Sequence, residues 1–343
     1  MRLLIVTQKV DKKDPILGFF HRWIEEFAKN FEKVTVICLE MGEYNLPTNV
    51  KVLSLGKEER RSKAEYISRF YKYIWQERKN YDAVFVHMNQ EYVLLGGILW
   101  RIWGNKIMLW RNHPEGSLVT RVAIKLANQV FCTSESSFTA RFKKTVLMPA
   151  GISTEIFRRN ENIRREPNSI LVFGRISPVK KLEVFVDACQ LLKQQGVNFK
   201  ASVVGDPLPG HKYYYEKLKK SASAAGLEKI VDFKPGVPNT EAPDLYNHYE
   251  IYVNLTPAGS FDKTILEAMA SETVPVVSNH SLLPLVGDDF VFIENDASSL
   301  ASRLKVIFLL SAEEKRNVGR EARKKVKKYH ELSILSEKIF DYS

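Results

Sequence analysis

Short runs of Val, Ile and Leu recur along the chain, separated by stretches in which apolar residues return every three or four positions. Runs of the first kind read as strands buried on both faces and stretches of the second kind as crossover helices, so their alternation predicts α/β units built on parallel sheets. Seven strands are predicted over residues 3–7, 34–39, 50–55, 83–87, 106–110, 129–133 and 145–148. The pattern restarts with six more at 170–173, 200–204, 230–233, 251–255, 275–278 and 290–293. Each half therefore reads as its own doubly wound, Rossmann-like sheet. Residues 158–168 are polar, charged and proline-containing with no apolar period, which predicts a linker and a boundary near residue 165. The expected domains are 1–165 and 166–329, followed by a helical segment, 330–343. Ligands of open α/β sheets bind beyond the carboxyl ends of the strands, so two facing sheets would line an interdomain cleft with strand-end loops.

Composition narrows the class. Two domains suit 343 residues. With 45% hydrophobic and 27% charged residues the chain reads as globular rather than disordered or membrane-spanning. The apolar run 92–100 is stopped by Arg101, short of the ~20 residues a spanning helix needs. The N-terminus carries a strand-like Leu3-Leu4-Ile5-Val6 instead of a signal-peptide pattern, so a cytoplasmic protein is expected. Cys38, Cys132 and Cys189 stand singly, without CxxC spacing or companion histidines, and are expected to be reduced packing residues. The net charge is +11. Residues 1–150 hold 24 Lys and Arg against 15 Asp and Glu, a net +9, and the remainder holds 27 against 25, a net +2. A basic first half attracts an anionic substrate, an anionic lipid surface or nucleic acid.

Several chemistries have no motif here. The first strand is followed by no GxGxxG, and GxxxxGK[ST], HExxH, GxSxG and Asp-x-Asp are all missing. Nicotinamide, P-loop, zinc-protease and serine-hydrolase readings fall away. No acidic clamp for a phosphate-bound metal is seen, so a diphosphate would be met by cationic side chains and helix ends.

Such a place exists in the second half. The strand Ile170-Leu171-Val172-Phe173 runs into Gly174-Arg175-Ile176-Ser177-Pro178-Val179-Lys180-Lys181 and then a helix, which sets two cations and a helix N-terminus at the mouth of the sheet. Arg175 suits a bidentate grip on phosphate oxygens and Lys180 a mobile point charge. Further on, the small-residue loop Pro257-Ala258-Gly259-Ser260 leads through Phe261, Asp262, Lys263, Thr264 and Ile265 into a helix carrying Glu267, whose carboxylate could accept two hydrogen bonds from a ribose diol. The alternatives are a solvated loop and a helix-surface glutamate.

These segments resemble the retaining glycosyltransferases of family four, with their Gly-Arg…Lys turn and a Glu-x7-Glu motif running into Leu-Glu-Ala-Met-Ala and Pro-Val-Val. Met148-Pro149-Ala150-Gly151-Ile152 and Val204-Gly205-Asp206 are similar to two further segments of that family, and the likeness extends over nearly the whole chain. The resemblance implies a GT-B fold and transfer of a sugar, hexosyl or related, from a nucleotide-diphosphate sugar to a hydroxyl of a carbohydrate or lipid-linked acceptor, in polysaccharide or glycolipid assembly. It implies that Gly174, Arg175 and Lys180 hold the diphosphate, with backbone amides at Lys263, Thr264 and Ile265. Glu267 would hold the ribose, Val237 the base, and Gly18 would admit the phosphate to the backbone. His113 resembles the family's cleft histidine near the donor sugar; His87 stands second to it, and Asn89 would line the acceptor side. The first Glu of Glu-x7-Glu is Gly259 here, and Asp262 is the substitute anchor in the same loop.

In this reading the cationic turn and helix end stabilise charge on the departing nucleoside diphosphate, without a metal or other cofactor. The rival readings are an epimerase or phosphorylase on the same fold, and a sugar-nucleotide sensor that binds without transferring. Charge alone suggests nucleic acid, but Ile67, Phe70, Tyr71, Ile74 and Trp75 fall on one helical face, so the aromatics of that segment read as a packing stripe and no nucleic-acid partner is expected. The basic first half predicts an anionic acceptor or peripheral contact with the inner, anionic face of a membrane. The segment 93–103 reads as a contributor to that contact or as a buried crossover helix. The final helical segment is expected to pack back on the N-terminal domain.

Overall fold

A computed structural model describes residues 1–258 and 261–343. The chain divides into two compact units, Met1–Gly151 with Leu332–Ser343, and Ile152–Glu331.

In the first unit the strands β1 (Arg2–Val10), β2 (Lys33–Met41), β3 (Val50–Ser54), β4 (Ala83–His87), β5 (Lys106–Trp110), β6 (Gln129–Cys132) and β7 (Thr145–Leu147) form one sheet, ordered β3-β2-β1-β4-β5-β6-β7. Every pairing is parallel. The order reverses between β1 and β4, the place where doubly wound sheets open a crevice. Alternation along β1 feeds two cores. Leu3 and Ile5 pack under α1 (Gly18–Asn30) and the C-terminal helix Leu332–Tyr342; Leu4 and Val6 pack under α2 (Lys63–Glu77), α3 (Glu91–Ile102) and α4 (Leu118–Leu126). The C-terminal helix is tied to α1 by Asn30 Nδ2 donating to Ser336 Oγ (2.7 Å) and to the chain beyond α1 by the Phe31–Phe340 ring contact. Capping boxes at Ser62/Glu65 and Ser117/Thr120 start α2 and α4 by satisfying their free amides.

The second unit has β8 (Glu166–Phe173), β9 (Lys200–Val204), β10 (Val231–Lys234), β11 (Tyr249–Asn254) and β12 (Val274–Val277), all parallel and ordered β10-β9-β8-β11-β12. Its helices include α5 (Leu182–Gln194), α6 (Lys212–Ala224), α7 (Ala242–His248) and α8 (Lys263–Ala270).

Two expectations are corrected. Residues 290–293 do not form a sixth strand: after Gly287 (φ 93°) and a 3-10 turn at Asp288–Phe290, only Val291 bridges Val277, and the chain turns again at Asn295 (φ 60°). The stretch 158–168 is not a solvated linker. Arg159 and Asn160 bond Asn247, Arg165 donates to the Ser271 and Glu272 carbonyls, and Glu166 already pairs as strand with Tyr249. The division falls instead after Gly151. From there Ile152 donates to the His330 carbonyl, and Arg323 grips the Thr154 and Phe157 carbonyls, which fixes that segment to the second unit.

Candidate functional site

The β8 strand ends at Phe173, and Gly174 (φ 134°) turns the chain outward. The turn runs close to its neighbour: a Cβ on Gly205 (φ 157°) would lie 1.9 Å from the Gly174 carbonyl oxygen, so the two βα turns can stack only with glycine there. Gly174, Arg175 and Lys180 line one shallow pocket with Asn254 and Leu255, at the carboxyl end of the sheet. Arg175 is exposed, and among the described residues its guanidinium has no hydrogen-bond or ion-pair partner. A 3-10 turn, Pro178–Lys180, ends at Lys181 in the left-handed region (φ 48°) and aims Lys180 back across the strand ends.

Lys180 is held there. Its ammonium donates to Thr256 Oγ1 (3.0 Å) and forms an ion pair with Asp262 Oδ2. The same carboxylate oxygen accepts from Asn254 Nδ2 (2.9 Å) and Thr256 Oγ1 (3.2 Å), while Oδ1 accepts from Thr264 Oγ1 (2.8 Å) and the Thr264 amide (3.3 Å). Asp262 is thus the N-cap of α8. Burial pushes its carboxyl up, but Lys180 and the surrounding donors outweigh this and hold it well below the usual carboxylate range. Tyr252 Oη donates to Thr264 Oγ1 (2.6 Å) and accepts from Asn254 Nδ2 (3.1 Å), completing a polar network at the start of α8. Asp262, expected as a substitute sugar anchor, thus has both its oxygens engaged in this network. Gly259, where the family resemblance expects a glutamate, lies outside the described residues.

Glu267 is buried and accepts from Tyr246 Oη (3.0 Å). It is not a helix-surface glutamate. Burial pushes the Tyr246 phenol up, and the neighbouring Glu267 charge adds to the rise. Burial pushes the Lys263 ammonium down, against the attraction of Glu267. The amides at the start of α8 are partly spoken for, Thr264 by the Asp262 side chain and Ile265 by the Asp262 carbonyl at 3.4 Å. Val237 sits on the separate loop after β10, half-buried, and has no bond to this network.

The residues nominated in the first unit are dispersed in character. His113 is exposed after β5, and its Nδ1 lies 3.0 Å from both the amide and the carbonyl oxygen of Glu115. His87 is fully buried. Its ring stacks on Phe20 at 4.0 Å and its Nδ1 lies 3.2 Å from Thr7 Oγ1, so it is a core residue and not a surface ligand on the acceptor side. Met88 (φ 66°) turns the chain beyond it, and Asn89 Nδ2 donates to Gln8 Oε1 (2.6 Å), joining the loops after β4 and β1. Gly18 is buried at the start of α1, and its amide donates to the Asp14 carbonyl (3.0 Å).

Tyr246, Tyr252, Asn254 and Thr256 were not singled out from the sequence. One signal was present: Tyr252, Asn254 and Thr256 alternate at the end of an otherwise apolar run, placing polar tips on one face of a buried strand.

Residues 153–326 match the family model for glycosyl transferases group 1. Among curated proteins, the chain is 28% identical over 185 residues to the putative colanic acid biosynthesis glycosyltransferase WcaL of Escherichia coli (strain K12), covering 50% of this chain and 44% of that protein. It is 35% identical over 107 residues to the lipopolysaccharide core biosynthesis mannosyltransferase LpcC of Rhizobium leguminosarum bv. viciae, covering 31% and 30%. The chain thus spans less than half the length of these relatives. Among solved structures, Anabaena Alr3699/HepE in complex with UDP and glucose superimposes with a TM-score of 0.79 at 18% identity, over 99% of this chain and 98% of that one, which establishes a shared fold.

Proposed function

The chain belongs to the glycosyl transferases group 1 family, and from that membership we propose that it is a retaining glycosyltransferase. It would move a hexosyl or related group from a nucleotide-diphosphate sugar to a hydroxyl acceptor in cell-surface polysaccharide or glycolipid assembly. The observation that carries the reading is the exposed, unpartnered Arg175 beside Lys180 at the carboxyl end of the second sheet, next to the start of α8. An exposed guanidinium with its donors unspent is what a diphosphate requires. The relatives' names, colanic acid and lipopolysaccharide core biosynthesis, and a fold neighbour that binds UDP and glucose, support the same class.

In the proposed reaction Arg175 takes a pair of phosphate oxygens and Lys180 turns from Asp262 toward, or shares itself with, the phosphate. The anomeric C–O bond breaks and its electrons go to the β-phosphate oxygen. The acceptor oxygen bonds the anomeric carbon on the face being vacated, and its proton passes to a phosphate oxygen. Charge on the leaving group is met by the two cations and the start of α8, so no metal or cofactor is required. Glu267 would receive the ribose hydroxyls, Val237 the base, and His113 the donor sugar. The net +9 of residues 1–150 favours an anionic carbohydrate or lipid-linked acceptor, and contact with the anionic inner face of a membrane. No helix among the described residues is long and apolar enough to cross a membrane.

A thermal-shift panel of sugar nucleotides tests donor binding, since a bound donor raises the melting temperature by mass action. Product formation by Arg175→Ala and Lys180→Ala tests the mechanism; turnover unchanged in both would sink it. A second reading, binding without transfer, is favoured by one observation: the Asp262 carboxylate is fully engaged and leaves no spare acceptor for a sugar hydroxyl. Nucleotide binding with no product across an acceptor screen would decide for it.

A further inference from the structure

Helices α2, α3 and α4 cover one face of the first sheet and bury Phe70, Trp100 and Ile124, among others, in one cluster. Their outer sides would be polar if they faced only water. They are not: Trp75 on α2, Ile98 and Ile102 on α3, and Leu118, Val119 and Val122 on α4 are all exposed, Leu118 by 79% and Ile102 by 73%. The three helices adjoin one another. Trp103, just past α3, packs edge-on against Trp75 at 5.8 Å, and Arg101 on α3 donates to the Leu126 carbonyl at the end of α4 (2.8 Å). Cations are set among the apolar tips. Arg121 and Lys125 lie on the outer side of α4, and Arg78 stacks over Trp75 at 4.5 Å. Across α3 and α4 the single acidic residue is Glu91.

Aliphatic tips flanked by cations, on a unit whose residues 1–150 carry net +9, complement a surface that is apolar below and anionic above. We propose that the outer face of α3 and α4, extended by Trp75, is where this protein lies on an anionic lipid bilayer, with Ile102, Leu118 and Val122 entering the acyl boundary and Arg121 and Lys125 among the headgroups. The inference rests on the membrane contact proposed above and names the surface that makes it; it is independent of the donor chemistry. The apolar contribution of the segment 93–103 then comes from Ile98 and Ile102, while Val93 and Trp100 stay in the core.

The full chain is to be sedimented with phosphatidylcholine vesicles and with vesicles containing equal phosphatidylglycerol. The variants are Ile102→Gln/Leu118→Gln/Val122→Gln, Arg121→Gln/Lys125→Gln, and Leu309→Gln, an equally exposed apolar position in the second unit. The substituted residues are exposed, Arg121 with its guanidinium over the Phe138 and Phe142 rings (5.5 and 5.9 Å), and a thermal melt confirms that each variant folds. Wild type and Leu309→Gln should bind the anionic vesicles and not the neutral ones. The triple variant should bind at least tenfold more weakly. The double variant should lose roughly twenty-fivefold, about fivefold per cation. Wild-type failure to sediment with anionic vesicles overturns the membrane contact itself. Binding that survives the triple variant, or that falls equally in Leu309→Gln, overturns the assignment of this face. Self-association of the wild type that disappears in the triple variant overturns it in favour of a second copy of the chain.

Discussion

Replacing Asp262 by Ala removes three things at once. The N-cap of α8 disappears, at a cost of ~1 kcal/mol. Asn254 Nδ2 and Thr256 Oγ1 lose an acceptor, and an unmade bond at a part-buried donor costs about 1 kcal/mol or more. Lys180 keeps only Thr256 Oγ1. The ion pair is neither surface nor core, with side-chain exposures of 19% and 14%, so breaking it should fall between the ~0–1 kcal/mol of a solvated pair and the ~3–5 kcal/mol of a buried one. A total of roughly 4 kcal/mol or more follows, and for a unit of this size 4 kcal/mol lowers the melting temperature by roughly 8–16 °C. Lys180→Ala alone should cost less, because the Asp262 carboxylate retains its cap and two side-chain donors besides Thr264. The informative quantity is the coupling in the double-mutant cycle, expected at ~1–2 kcal/mol because the two side chains touch. Urea unfolding of wild type, Lys180→Ala, Asp262→Ala and the double variant gives it. If the two single losses simply add, with coupling under ~0.5 kcal/mol, the pair is solvated in practice and the account of Lys180 as a clamped residue is wrong.

Arg175→Ala should leave stability within ~0.5 kcal/mol, since the side chain is exposed and among the described residues has no hydrogen-bond or ion-pair partner, yet abolish transfer and weaken nucleotide binding; undiminished binding by calorimetry would refute its role. Glu267→Gln keeps an acceptor for Tyr246 but removes the charge, so calorimetry should find nucleotide affinity down by about tenfold with the fold intact; unchanged affinity would remove Glu267 from the site. Burial depresses His330 to about 4, below the ~6.5 of an unfolded chain, so the unfolded state takes the proton first and stability is lost as pH falls from about 6.5 to 4, by at most ~3 kcal/mol. The urea midpoint against pH should show this slope in wild type and a flatter one in His330→Phe. Gly205→Ala drives a methyl into the Gly174 carbonyl and should cost at least ~3 kcal/mol; wild-type melting would show that the two turns can separate freely.

The strands were legible because burial on both faces leaves a one-dimensional mark: in β4 and β12 every residue is buried, and each reads as a short apolar run. The Gly174–Lys180 turn was legible for a related reason, since a glycine and two cations immediately past such a run can be placed at the mouth of a sheet before any contact is known. What failed depended on partners distant in sequence. The stretch 158–168 is polar like a linker, but its polar groups are spent on Asn247, Ser271 and Glu272, nearly ninety or more residues away. Asp262 looked available because the loop sequence does not reveal that Lys180, 82 residues earlier, would be its counterion. His87 was nominated as a strand-end histidine, but α1 brings Phe20 over it. A histidine ending a buried strand is as exposed as the next helix permits, and the aromatic opening of α1, Phe19-Phe20 with Trp23, was the clue that it would be covered. Locating the cations of a site requires only local pattern. Deciding which of them is free to bind requires the pairings, and those put Arg175 and Lys180, equivalent in sequence, in different states: one unspent, the other already neutralised by the chain itself.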